Sequence, residues 1–326
     1  MMMMMNRRAL LGALGACALA QPAAAQADYP NRPIRIIVPL PPGSPPDVLA
    51  RVVGERLQHE WKQPVVVENR PGATGMIGLD AVAKAPPDGY TVGIMFLTHT
   101  VLPALFGRTP YDTQRDLAPL ANLAWLYNVL VVPANSPVRS VRDLVQRAGA
   151  QPDALTYGSG GIGSPAHLLG AAFCQTTGTR MLHVPFKGPS ESVQGLLGGQ
   201  VDAMFATTSV AVPMVRGGKL RPLAVTSPAR LAALPEVPTI AESGITGFEI
   251  REWEGIVAPA GLPAALVDRW SRALARIMSQ QEVKDRLLDL GMTAAEPDTP
   301  AAFGTLIGSE LAYWSKLVKS AGLKAQ

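Results

Sequence analysis

The chain has 326 residues, of which 48% are hydrophobic, 17% charged and 6% aromatic, with 31 glycines and 30 prolines. That length suits two packed lobes, and so much apolar matter excludes general disorder. The net charge of +4 includes Arg7 and Arg8; beyond residue 27 there are 27 basic and 25 acidic side chains, and with so few aromatics nucleic acid is excluded as a partner.

Residues 1–27 read as a signal peptide. Arg7 and Arg8 give its positive start, Ala9 to Ala20 an apolar stretch too short to span a bilayer, and Ala25-Gln26-Ala27 a small-residue cleavage pattern. Leu14-Gly15-Ala16-Cys17 offers the alternative of a lipoprotein box with Cys17 lipidated, and Arg7-Arg8 leaves general and twin-arginine export both open. Cleavage at Ala27 leaves Cys174 as the one cysteine, which excludes an intramolecular disulfide. Its apolar helical surroundings (Leu168, Leu169, Ala172, Phe173) predict a core thiol.

From there strands and helices alternate. Ile34 to Val38 is a β-branched run that predicts a buried strand. Ser44-Pro45-Pro46-Asp47 then opens a helix, with Ser44 able to cap it and Asp47 to close a capping box. Val65 to Val67 predicts a strand, Gly72 to Gly78 a loop running into a helix through Lys84, and Tyr90 to Phe96 a third strand. The pattern restarts after Asn128. Strands are predicted at Val129–Val132, Leu155–Tyr157, Val184–Phe186, Ala203–Phe205 and Leu223–Thr226, and helices at Val138–Ala148 and Pro165 to about Thr177. Two amphipathic helices close the chain, one carrying Leu266, Trp270, Leu274 and Ile277, the other Phe303, Ile307, Trp314 and Val318. Two α/β units with parallel-rich sheets follow from this order.

Gly158-Ser159-Gly160-Gly161-Ile162-Gly163 has the form of a dinucleotide loop between a strand and a helix. The acidic residue that such a site needs about 20 positions on is missing, the next carboxylate being Glu191. What remains is a loop whose backbone N–H groups can approach an anion at a helix start, with Ser159, Ser164 and His167 beside it. The Pro41–Asp47 loop repeats the arrangement, so two such loops facing each other predict a clamp for a small anion. No Walker sequence, H-E-x-x-H, C-x-x-C or G-x-S-x-G occurs, which leaves nucleotide hydrolysis, a cysteine-rich metal site and a serine elbow without support. Neither cofactor nor metal is expected.

The motifs Tyr29-Pro30-Asn31-Arg32-Pro33-Ile34-Arg35-Ile36-Ile37-Val38-Pro39, Val67-Glu68-Asn69-Arg70-Pro71-Gly72-Ala73 and Ala85-Pro86-Pro87-Asp88-Gly89-Tyr90-Thr91 resemble the Bug-type receptors, periplasmic substrate-binding proteins of tripartite tricarboxylate transporters. So do the loop Tyr157 to Ser164, Val184-Pro185-Phe186-Lys187-Gly188, Gly198-Gly199-Gln200-Val201-Asp202 and Leu234-Pro235-Glu236-Val237-Pro238-Thr239. The resemblance spans residues 28–326. It implies an α/β, two-lobe periplasmic binding protein (type II-like) with the ligand cleft between the lobes. Residues 28–128 and 252–326 would form lobe 1 and 129–251 lobe 2, with crossings near Tyr127–Val131 and Phe248–Trp253.

It further implies a monomeric receptor that binds a small organic carboxylate and delivers it to membrane permease subunits. The ligand-binding residues so implied are Gly43, Ser44 and Asp47 in the first loop, then Thr98 and His99. Lobe 2 would add Ser159, Gly160, Gly163, Ser164 and His167, with Lys187 and Asp202 at neighbouring strand ends. Three positions depart from the family pattern: Ser44 replaces the second glycine of the first loop, Pro46 stands where a small hydroxylic residue is usual, which removes a donor, and Phe186 replaces a tyrosine. The alternatives are an enzyme on the same scaffold with His167 or His99 as base, and a receptor feeding a sensor.

Overall fold

The computed structural model describes residues 29–320 except 247 and 249, together with 322 and 323; the signal peptide and the Cys17 alternative lie outside the described residues. The first part of the chain builds β1 (Ile34–Val38), α1 (Pro45–Trp61), β2 (Val65–Asn69), α2 (Met76–Ala83), β3 (Thr91–Phe96), α3 (Thr98–Phe106) and β4 (Leu117–Leu126). Next come β5 (Asn128–Pro133), α4 (Val141–Ala150), β6 (Thr156–Ser159), α5 (Pro165–Thr177), β7 (Leu182–Pro185), α6 (Pro189–Leu197), β8 (Ala203–Thr207), α7 (Thr208–Arg216) and β9 (Leu220–Val225). The chain closes with β10 (Glu252–Pro259), α8 (Ala264–Ser279), α9 (Gln281–Asp289), β11 (Met292–Ala294) and α10 (Pro300–Ser320).

Two sheets result, ordered β11-β4-β10-β3-β1-β2 and β7-β6-β8-β5-β9. A single residue, Tyr127, separates the first sheet's β4 from the second sheet's β5, and the chain returns between β9 and β10. β1 is parallel to β2 and β3, and β6 to β7 and β8. β10 runs against both β3 and β4, and β5 against both β8 and β9. Both sheets are therefore mixed rather than parallel-rich, because strands that carry the chain between sheets oppose those built by helix crossovers.

The apolar periodicities place the helices. Leu49, Val53 and Leu57 of α1 and Leu266, Trp270, Leu274 and Ile277 of α8 cover one face of the first sheet. That core also pins the start of the described chain. Tyr29 donates its hydroxyl to Gly89 O (2.7 Å), accepts from Trp270 Nε1 (2.8 Å) and sets its ring edge-on to Trp61 and Tyr90. The opposite face is covered by α2, α3 and α10 through Leu79, Val101, Leu105, Phe303 and Trp314, and this apolar cluster continues into α5 of the second unit (Leu168, Leu169, Phe173). Cys174, at the end of α5, is half-buried rather than in the core, because the helix there turns toward solvent-exposed Gln175 and Thr176.

The helix start predicted at Ser44 is real, but its capping differs. The Ser44 hydroxyl turns back to Pro41 O (2.7 Å), and Asp47 Oδ2 accepts from Gly43 N–H (2.9 Å), one residue earlier than a capping box requires.

Candidate functional site

The carboxyl ends of β1, β3, β6 and β8 converge with the start of β10 on a partly enclosed cavity of ≈190 Å³, the position at which open α/β sheets bind ligands. Leu40, Pro45, Pro46, Phe96 and Leu126 line it from the first sheet, and Gly160, Ser164, Ala166, Met204 and Thr207 from the second. A larger hollow of ≈500 Å³ lies among Tyr127, Thr208, Pro213 and Leu288. No unpartnered buried polar side chain among the described residues lines that hollow, whereas Glu254 brings one to the smaller cavity.

The loop after β6 owes its shape to glycine. A side chain at Gly160 would meet Pro189 N at 2.9 Å, and Gly161 and Gly163 hold φ of 122° and 80°. Ser159, fully buried, sits beneath the loop: its Oγ accepts from Gly161 N–H (3.1 Å) and lies 2.6 Å from His183 Nε2. His183 stacks on His167 with ring centroids 4.1 Å apart. His167 Nδ1 in turn accepts the Gly163 N–H (3.1 Å). Burial lowers His167 to about 4, and burial with the neighbouring His167 lowers His183 to about 3. Both imidazoles are thus neutral braces of the loop at physiological pH.

Above these braces, Gly160 and Ser164 reach the cavity wall, while the Ser164 hydroxyl donates to Gly161 O (2.7 Å). Pro165 stands first in α5, and the N–H groups of Ala166 and His167 have no intrahelical partner. Ser164, Pro165 and Ala166 line the cavity, so this helix start stands on its wall, with the positive end of the helix dipole beside it.

The first loop is different. Gly43 N–H is taken by Asp47 and Ser44 N–H turns to Pro41 O (3.3 Å). Pro45 and Pro46 have no N–H at all. Asp47 is buried and also accepts from Arg51 at both oxygens and from Asn69 Nδ2 (2.9 Å). Burial works to raise its pKa, but the hydrogen bonds from Arg51, Gly43 and Asn69 outweigh that and lower it. Gly43, Ser44 and Asp47 thus hold their own loop together, and the predicted pair of donor loops reduces to one donor loop facing an apolar wall.

The other predicted residues divide similarly. Thr98 and His99 are buried at the start of α3, off the cavity wall. His99 Nδ1 accepts the Phe96 N–H (3.2 Å), and burial lowers its pKa to about 4. Lys187 is exposed, its N–H on Glu191 Oε2 (2.9 Å), and it does not line the cavity. Asp202 accepts from Thr156 N–H and Oγ1, both at 2.8 Å, at the starting ends of β6 and β8. That is the end of the sheet away from the cavity, because a turn residue placed before a parallel strand cannot reach the strand's carboxyl end. Phe186 packs its ring against Gly158 and Gly195 rather than the cavity, so the missing hydroxyl costs no cavity contact.

Glu252 and Glu254 were not anticipated, and both line the cavity. Asn128 Nδ2 donates to Glu252 Oε1. Glu254 is 4% exposed, and its Oε2 has no partner. Burial raises Glu252 to about 7 despite the Asn128 hydrogen bond. Burial, then the charge of Glu252, pushes Glu254 well above the usual carboxylate range. Two carboxylates within three residues ordinarily signal a solvated edge, so the sequence hid them.

Residues 49–323 match the family model described as tripartite tricarboxylate transporter family receptor. The protein BugT of Bordetella pertussis is 34% identical over 331 residues, covering 98% of this chain and 99% of its own. An R. palustris structure solved with adipate superposes with a TM-score of 0.78 at 32% identity, over 90% of this chain and 98% of that one. MatC from Rhodopseudomonas palustris with bound malate gives 0.76 at 30% identity, over 89% and 100%.

Proposed function

The chain belongs to the tripartite tricarboxylate transporter receptor family, and from that premise we propose that it is an exported receptor closing two lobes over a small organic carboxylate. It hands that ligand, unchanged, to membrane permease subunits, and it works as a monomer. Cleavage near Ala27 releases it into the periplasm. Among the described residues no helix is long and apolar enough to cross a membrane. Residues 28–126 and 252–326 form one lobe and 128–251 the other, hinged at Tyr127 and in the segment before Glu252; Asn128, expected in the first lobe, falls in the second because it pairs with Thr207 of β8.

One observation carries this proposal: a partly enclosed cavity between the sheets, with Ala166, whose N–H has no intrahelical partner, at a helix start on its wall and no basic side chain there. A carboxylate bound there draws on backbone donors and the helix dipole. The malate and adipate bound by solved family members are acids of that chemistry and size. Family members are binding receptors, and the candidate bases His99 and His167 are buried and hydrogen-bonded to backbone N–H groups, which disfavours turnover.

A thermal-shift screen of the ligand-stripped mature protein against organic acids tests this. A ligand that binds only the folded state raises Tm, by about 2.7 kcal/mol of added stability at a hundredfold excess over Kd. At least one small carboxylate is expected to do so and to be recovered intact. A flat response across the panel, or conversion of the acid, would overturn the proposal.

A further inference from the structure

Glu252 and Glu254 stand two residues apart on β10, so both side chains leave the same face of the strand. That face closes the cavity, and their cross-strand neighbours Phe96 and Leu126 share it. Trp253 between them points the other way, into the core against Phe303. Neither glutamate enters an ion pair among the described residues. The nearest cation in sequence, Arg251, lies over the Trp125 ring (4.5 Å) instead. Asn128 meets one oxygen of Glu252, and Glu254 Oε2 meets nothing.

A buried acceptor without a donor is costly, and the cost disappears when a ligand brings the donor. Much of the wall is apolar (Pro45, Pro46, Phe96, Val193, Met204 and Val210), and none of its polar side chains, Asn128, Ser164 or Thr207, is hydrogen-bonded to Glu254 Oε2. A plain diacid can pair its second carboxylate with the two acids only while they keep their protons, whereas a nitrogen donor meets a carboxyl oxygen in either protonation state. We propose that the ligand carries a nitrogen donor, an ammonium or an amide N–H, which docks on Glu254 and Glu252. Its carboxylate lies at the start of α5, and its apolar body rests against the proline wall. This rests on the receptor assignment above and narrows it from organic acids in general to acids bearing a nitrogen donor. Glu254 is then the residue that sets specificity.

The test is a calorimetric titration near neutral pH with matched probes: adipate, 6-aminohexanoate and adipamate, with succinate, 4-aminobutanoate and succinamate as the shorter set. In at least one set a nitrogen-bearing member is expected to bind about tenfold or more tighter than its diacid. Glu254→Gln should shrink the ammonium-over-diacid ratio to about threefold or less, because the amide, unlike the carboxyl, cannot give up a proton to face a cation. Glu252→Gln, a second near-isosteric change, should move the ratio the same way. Tighter diacid binding, or an unchanged ratio in both folded variants, overturns this inference and leaves the receptor assignment standing. Silence from every probe here and from the whole organic-acid screen overturns both.

Discussion

Glu252 keeps its proton in the folded chain up to about pH 7, whereas the ordinary glutamate value is 4.5. Glu254 keeps its proton further still. The folded state therefore holds more protons than the unfolded one above pH 4.5, and stability falls as pH rises through 7. His99, His167 and His183 act the opposite way. Burial lowers them to between about 3 and 4 from an ordinary 6.5, so their contribution is lost as pH falls below 6.5. Above about 7.5 these three histidines are largely neutral in both states, and the groups whose values burial raises, Glu254 foremost, set the direction of the slope. The ligand-free protein should therefore melt lower at about pH 8.5 than at about pH 7.5, and Glu254→Gln should flatten that fall. A melting temperature that rises over this interval, or an unchanged slope in the variant, would contradict the burial of the pair.

At the scale of elements, the segment ahead of β1 behaves as part of the core. The Tyr29 hydroxyl joins Gly89 O to Trp270 Nε1 and so ties that segment to α8 and to the turn before β3. Tyr29→Phe leaves both buried partners unmet and should cost about 1–3 kcal/mol, read as a drop in Tm with ligand affinity unchanged. The elements that were legible in the sequence are those whose chemistry is local. β1 is a β-branched run buried on nearly every residue, α1 starts at Ser-Pro-Pro-Asp, and α8 has a clean apolar stripe. Those that were not legible have local signals that tertiary contacts override. α3 follows β3 with only Leu97 between and carries Pro103 inside, and β4 carries Pro119. β10 opens with two glutamates that read as surface but face the cleft. The site followed the same rule. The glycine loop after β6 announced its backbone geometry, whereas the consumption of the Gly43 and Ser44 donors depends on where Asp47, Pro41 and Asn69 meet in space.

For the whole molecule, the two sheets divide the labour unequally. The second supplies the donors at the start of α5, and the first supplies an apolar wall with two acids on the strand that returns from the second unit. A ligand favours closure only if it gains contacts from both sides, so each side is separately necessary. The direct measurement is a calorimetric titration of the tightest-binding acid into wild-type protein, Ser164→Trp and Pro46→Trp, with Tm recorded for each. A tryptophan at either position fills the ≈190 Å³ cavity from one lobe alone. Both variants should stay folded and lose about a hundredfold or more in affinity. Wild-type affinity in either folded variant would place the ligand elsewhere and contradict binding between the lobes.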